Sequence, residues 1–258
     1  MAMSSAPRIL CIGGHDPTGG AGIQADIEAV TALGTRALTM VTALTVQDTC
    51  NIAAIRPTPA DFFTQQAEVL LADIRPDAVK IGLVGSAELL PALIGLLQTF
   101  DGPVVLDPVL AAGGGFELGI DLAGPAGRQL LSFATLLTPN RAEARRLSGC
   151  EDIAAAADTL LDTGTGALLI TGADEAQGER VVNRLFTAVG IPAHRYEWPR
   201  LGYGYHGSGC TLASACAARL AFGDELPAAV AAAQAFTWQA LARAEPVGHG
   251  QRLPERRA

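Results

Sequence analysis

Arg8-Ile9-Leu10-Cys11-Ile12-Gly13-Gly14-His15-Asp16-Pro17-Thr18-Gly19-Gly20-Ala21-Gly22-Ile23-Gln24-Ala25-Asp26 is the stretch on which the fold turns. Its apolar run, residues 8–12, stops at two glycines and reads as a buried first strand. From Ile23 the period changes: Ile23, Ile27, Val30 and Leu33 recur at helical spacing and end at Gly34, a helix-stop residue. The loop between is so rich in glycine that its backbone can approach a ligand closely. Its last glycines lead into a helix start, where uncovered amides and the helix dipole attract an anion. No Gly-Lys-Ser/Thr follows, so the loop is not a P-loop.

The same strand-then-helix alternation runs down the chain. Residues 38–46, 79–84, 104–106, 136–137 and 167–170 read as strands, and 62–71, 87–97, 142–147 and 153–161 as helices. Residues 181–186 and 193–198 read as strands at the sheet edge, and helices over 211–222 and 227–244 follow. Uninterrupted apolar strands alternating with helices predict an α/β fold with a largely parallel sheet covered on both faces. A single domain over 1–258 is expected, with loose polar segments at 1–7 and 245–258. In such a sheet ligands sit beyond the carboxyl ends of the strands. Residues 13–22, Gln47-Asp48, Gly82, Asp107, Asn140 and Thr171-Gly172 all fall there.

Composition narrows the function. With 49% hydrophobic and 17% charged residues the chain can bury a substantial core, which excludes disorder. A net charge of −8, pI near 5.0 and no basic patch argue against nucleic acid and anionic membranes as partners. Lys80 is the one lysine, so any handling of phosphate would rest on Mg²⁺ and backbone dipoles. The five cysteines are odd in number and lack zinc or redox spacing, which fits a reduced, cytoplasmic protein. Residues 1–7 show no secretion signal, and no apolar run approaches the length of a membrane span.

A second signal is Gly207-Ser208-Gly209-Cys210-Thr211, running into Leu212, Ala213, Ala215, Cys216 and Leu220. Its glycines leave amides open at a helix start, and a thiol placed there tends to a lowered pKa. An anion cradle holding a polarised thiol points to phosphoryl or acyl transfer; the other reading is a glycine turn feeding a core helix, with Cys210 as a small apolar residue. Residues 202–207 fit G-x-G-x-x-G, but Trp198-Pro199-Arg200 precedes them instead of a buried strand, so they read as a lid-like loop. Cys210 with His206 lacks a third orienting group and does not make a hydrolase dyad. Lys80 reads as a structural hydrogen-bonding residue, and Trp198 and Trp238 as core or subunit contacts.

Taken together and in order, the motifs closely resemble those of the hydroxymethylpyrimidine/phosphomethylpyrimidine kinases of thiamine biosynthesis, within the ribokinase-like superfamily. The segment from Gly14 to Asp26 is similar to that family's glycine-rich opening, and Thr42-Ala43-Leu44-Thr45-Val46-Gln47-Asp48-Thr49 to its next motif. Lys80-Ile81-Gly82, Asp107-Pro108-Val109, Thr138-Pro139-Asn140-Arg141-Ala142-Glu143 and Gly207-Ser208-Gly209-Cys210 follow in family order.

The resemblance implies a three-layer α/β/α fold and transfer of the ATP γ-phosphoryl to 4-amino-5-hydroxymethyl-2-methylpyrimidine, then to its monophosphate. It implies that Gln47 hydrogen-bonds the aminopyrimidine, that Gly14 and Ala21 shape the ring slot and that Asp26 holds that loop. Asn140 and Glu143 would organise Mg²⁺ at the phosphates, with Asp107 nearby. Gly207, Ser208, Gly209 and Cys210 would form the anion hole, with Cys210 as base. Thr171 and Gly172 would lie against ATP. A homodimer paired through sheet-edge elements is implied as well. Two departures stand out: Thr171-Gly172-Ala173-Asp174 replaces the family's Lys-Gly-Gly-His, and Gly113-Gly114-Gly115 follows Asp107 where relatives carry another lysine. Either Arg200 or Arg184 substitutes for the lost charge, or Mg²⁺ and amides suffice, or nucleotide affinity is weak. Pyridoxal or pyridoxine kinase activity and a non-catalytic pyrimidine sensor are the alternatives.

Overall fold

Strand β1 (Arg8–His15) is buried on both faces: Leu10 and Ile12 join one apolar layer, Ile9 and Cys11 the other, and all four are 0% exposed. In the computed structural model, which describes residues 6–112, 116–117, 120–174, 178–189 and 193–257, the remaining elements build outward from that strand. They are α1 (Gly22–Ala32), β2 (Arg36–Gln47), β3 (Ile52–Pro57), α2 (Ala60–Asp73), β4 (Ala78–Ile81), and a 3-10 turn (Ala87–Leu89) entering α3 (Leu90–Leu97). Then come β5 (Val104–Leu106), the hairpin β6 (Ala111–Ala112) and β7 (Phe116–Glu117), α4 (Pro125–Leu131), β8 (Leu136–Leu137), α5 (Arg141–Ser148) and α6 (Ile153–Leu161). The rest is β9 (Leu168–Ile170), β10 (Arg180–Phe186), β11 (His194–Pro199), α7 (Ser208–Ala221) and α8 (Leu226–Ala242).

Nine strands form one sheet in the order β11-β10-β9-β8-β5-β4-β1-β2-β3. From β9 to β2 every pair is parallel; β10 at one end and β3 at the other run against this core, and β11, antiparallel to β10, regains its direction. Helices α2 to α6 pack on the face of Leu10 and Ile12, and α1, α7 and α8 on the face of Ile9 and Cys11. The three-layer, mostly parallel α/β arrangement expected from the sequence is therefore present. No helix among the described residues is long and apolar enough to cross a membrane.

Two parts differ from expectation. Strand β3 and helix α4 have no counterpart in the sequence reading. In β3 only Ile52 is buried, so this edge strand carries no apolar alternation to detect. The segment expected to be loose, from Glu245 on, is instead docked, while residues 1–5 lie outside the described residues. Glu245 and Leu253 exchange backbone hydrogen bonds, Arg252 pairs with Gly204 and His206, and Gln251 N–H donates to Thr49 O. Residues 245–250 stay exposed, but from Gln251 the segment turns inward, and Arg256 is only 1% exposed.

Candidate active site

The loops after β1, β5, β8 and β9 converge on the start of α7. Gly207 is the N-cap of that helix with φ +77°, a left-handed conformation that favours glycine. A side chain there would also collide with the Gly20 carbonyl, so loop 16–21 packs directly on the helix start. That loop is organised by Asp16, which is 2% exposed. Its carboxylate accepts from Thr18 N (2.8 Å), Thr18 Oγ1 (2.9 Å) and Ala21 N (2.7 Å), and lies 2.9 Å from His206 Nε2. Against the cost of burial, the bonds from His206, Thr18 and Ala21 hold this carboxyl below its usual range. His206 is thus the partner of Asp16, not of Cys210, in line with the sequence reading that no thiol dyad forms.

Beneath the loop lies an ion pair. Lys80 Nζ is 2.7 Å from Asp26 Oδ1, with side chains 1% and 0% exposed, and Ser214 Oγ donates to the same oxygen at 2.7 Å. Among the described residues Asp26 Oδ2 is the buried side-chain oxygen without a partner. Desolvation would lower the Lys80 pKa, but Asp26, Cys210 and Asp107 outweigh it and raise the pKa above the lysine range. Lys80 has the structural hydrogen bond expected of it, and the side-chain bonds of Asp26, 0% exposed, go to Lys80 and Ser214 and not to the loop it was expected to hold.

Cys210 sits in the first turn of α7, and its neighbour Gly209 faces Asp107, whose Oδ2 is 3.4 Å from the position of a Cβ there. The expected lowering of its thiol pKa is corrected: burial pushes it up to about 11, Asp107 and Asp26 add to the rise, and Lys80 and the Gly22 N–H oppose it. The helix start and one lysine do not overcome desolvation and two carboxylates. Burial likewise pushes Asp107 up to about 6. Burial and the charge of Asp107 push Glu143 up to about 8. Glu143 also closes a capping box with Asn140 at the start of α5: Glu143 N–H donates to Asn140 Oδ1 at 2.8 Å and Asn140 N–H to Glu143 Oε2 at 2.9 Å.

A cavity of about 520 Å³ opens over these groups. Of the residues expected at the site, Ala21, Asp107, Asn140, Glu143, Thr171 and Gly207 to Cys210 line it. Gly14, Asp26, Gln47 and Gly172 do not. Gln47 ends β2 with its amide donating to Thr45 Oγ1 at 2.8 Å, and Gly172 N–H donates to Asn183 Oδ1 at 3.0 Å. The two arginines considered for the missing charge lie differently relative to the cavity. Val181 and Asn183 line the cavity, so Arg184 lies on the other face of β10, whereas Arg200 is on the wall. Its guanidinium donates to Gly178 O (2.9 Å) and Ala173 O (3.1 Å). The 113–115 departure lies outside the described residues.

Sequence reading missed Asp16, the buried Arg256 and a polar chain under the cavity, in which Asn183 Nδ2 (2.8 Å) and Trp198 Nε1 (3.1 Å) both donate to Gln234 Oε1. Trp198 and Trp238, expected as core or subunit contacts, stand on the cavity wall with ring centroids 6.4 Å apart. Asp16 stood inside the glycine-rich loop, a signal that could have singled it out; Arg256 had none.

A three-layer arrangement whose parallel strands end beside a glycine-capped helix start defines the ribokinase-like fold, and solved structures of that fold superpose closely. Pyridoxal kinase from Staphylococcus aureus in complex with pyridoxal gives a TM-score of 0.86 at 28% identity, over 98% of this chain and 94% of that one. An ADP complex of Bacillus subtilis pyridoxal kinase gives 0.86 at 28% over 98% of each. Phosphomethylpyrimidine kinase from Clostridium difficile gives 0.73 at 29%, over 90% of this chain and 97% of that one.

The phosphomethylpyrimidine kinase family model matches residues 16–254, and the chain belongs to that family. A hydroxymethylpyrimidine/phosphomethylpyrimidine kinase from Rhizobium meliloti is 36% identical over 94% of this chain and 93% of its own length. A bifunctional thiamine biosynthesis protein from Geobacter sulfurreducens is 39% identical over 94% of this chain, which spans about half of that protein (50%).

Proposed function

We propose that this chain transfers the γ-phosphoryl of ATP to the hydroxymethyl oxygen of 4-amino-5-hydroxymethyl-2-methylpyrimidine, and then to the monophosphate so formed. The observation that carries the reading is the seat of Cys210: in the first turn of α7, under loop 16–21, on the cavity wall with Asp107. There the open amides of Gly207 to Cys210 face the position a transferring phosphoryl would take, and cost no reorganisation as charge develops. Cys210, pushed up to about 11, would take the hydroxyl proton in its minor thiolate form; in a loose transition state that proton leaves late, so positioning outweighs the amount of base. Gln47 and the loop at Gly14 and Ala21 would hold the ring. Arg200 would meet the nucleotide phosphates.

The residues present fit Mg²⁺. Asp107 is buried and Glu143 half-buried, and the charge of Asp107 raises the cost of ionising Glu143, an arrangement a divalent cation relieves. Among the described residues no three His, Cys, Asp or Glu cluster as a cage, so water and phosphate oxygens would complete the shell. Bound there, the cation would screen the phosphate charge. We place the protein in the cytoplasm, where its five free cysteines stay reduced. We expect a homodimer, supported by the outward-facing Leu44 (55% exposed) and Val46 (63%) near the sheet edge.

Mass spectrometry of the pyrimidine incubated with enzyme and Mg·ATP tests the reading: monophosphate followed by diphosphate supports it, and an unmodified pyrimidine refutes it. The high structural likeness to pyridoxal kinases favours vitamin B6 phosphorylation as a second reading. The ratio of kcat/KM on pyridoxal and on the pyrimidine decides between them.

A further inference from the structure

Arg256 is 1% exposed, although it belongs to a polar segment whose composition promises only solvent. Its guanidinium reaches three separate elements. Nε donates to Thr211 Oγ1 of α7 at 2.8 Å, one Nη to the Gly20 carbonyl of the glycine-rich loop, and the other to Glu28 Oε2 of α1 at 3.0 Å. Thr211 Oγ1 in turn donates to Gly207 O at 2.8 Å, the N-cap residue of the anion-binding helix. A planar fork of fixed donors suits this triple contact, and a lysine would not reproduce it.

The contact with Gly20 fixes an orientation. The peptide between Gly20 and Ala21 has its carbonyl on Arg256 and its N–H on Asp16 Oδ2 at 2.7 Å. Held at both ends by charged side chains, that plane cannot turn. Gly207 packs against the same carbonyl, and the next amide, of Gly22, faces the Cys210 sulfur. We infer that Arg256 is a positioning residue of the active site: it locks the glycine-rich loop to the phosphate-binding helix, so that substrate ring and Cys210 keep one separation.

The inference rests on the pyrimidine-kinase reading only for its activity assay. It concerns the ring end of the site, since the nucleotide end at Thr171 and Arg200 makes no hydrogen bond with Arg256. Arg256→Ala is therefore expected to lower kcat about 100-fold, the scale of a misplacement near 1 Å. It should raise KM for the pyrimidine and leave KM for ATP unchanged. Guanidinium ion added to Arg256→Ala should restore part of kcat and do nothing for wild type, while Arg256→Lys should fall between. Amide exchange at residues 20–22 should speed up in each variant. A folded Arg256→Ala with wild-type kcat and pyrimidine KM overturns the inference. So does a lower kcat with both KM values unchanged and no response to guanidinium, the mark of a smaller active fraction. Should Arg256→Ala not fold, Arg256→Lys and Thr211→Val supply the same comparison. If wild type phosphorylates no pyrimidine, the activity reading fails, and unchanged exchange at 20–22 in the variants would separately refute the clamp.

Discussion

Replacing Lys80 by methionine tests how the floor of the site is held. Methionine fills much of the same volume, so the change removes charge more than packing. It strands the Asp26 carboxylate, 0% exposed, with the Ser214 hydroxyl on one oxygen and no partner on the other. Breaking a buried pair from one side costs about 3–5 kcal/mol, a large share of the roughly 5–15 kcal/mol that holds a native protein together. In a chain of this size that lowers the melting midpoint by about 6–20 °C. Denaturant and thermal unfolding of wild type, Lys80→Met, Asp26→Asn and the double variant measure it. The double variant, which carries no stranded charge, should be less destabilised than the sum of the singles by about 2 kcal/mol. The lost cation also stops drawing down Asp107 and Cys210, so alkylation of Cys210, measured with Cys50 and Cys150 changed to serine, should slow. A cost under about 1 kcal/mol with additive singles would refute the view that this pair bears on the fold.

Cys210→Ala should cut kcat by about 10²–10⁴-fold, the usual range for a general base, with pyrimidine affinity by calorimetry unchanged; a near-normal rate removes Cys210 from that role. Because Glu143 is pushed up to about 8 and Asp107 to about 6, cation binding at neutral pH should displace about one proton. Its affinity should therefore climb between those two values, which calorimetry in buffers of different ionisation enthalpy detects; a pH-independent affinity refutes it. Without ligand the sign is the opposite: the unfolded chain gives up the Glu143 proton around the ordinary carboxylate value of 4.5 and the folded one only near 8. Stability from this group thus drains away as pH rises across that window, and Glu143→Gln should flatten the fall in melting temperature. Arg200→Ala should raise KM for ATP about tenfold, as one charge-assisted contact does, and leave pyrimidine KM alone; equal ATP KM values would return the nucleotide phosphates to amides and metal.

The central sheet was legible because parallel strands covered on both faces are uninterrupted apolar runs, as residues 8–12 and 104–106 are. The site's loops were legible because glycines at strand ends and a helix start announce themselves locally. What stayed hidden depends on distance along the chain. Asp16 and His206 are 190 residues apart, and nothing in either neighbourhood names the other. The rise of the Cys210 pKa comes first from burial and then from Asp107 and Asp26, both remote in sequence, so the local helix-start argument gave the wrong sign. Strand β3 was hidden for another reason: an edge strand with one buried residue has too little apolar surface to imprint a period.

The guanidinium of Arg256 and the carbonyl it holds are 236 residues apart. A ribosome adding about 5–20 residues per second reaches the arginine roughly 10–50 s after the glycine. Through that interval the growing polypeptide can lay down most of its sheet while the glycine-rich loop, bonded locally by Asp16, still lacks its guanidinium tie to α7. On the clamp reading, the contact that fixes the loop to α7 is the last to become available.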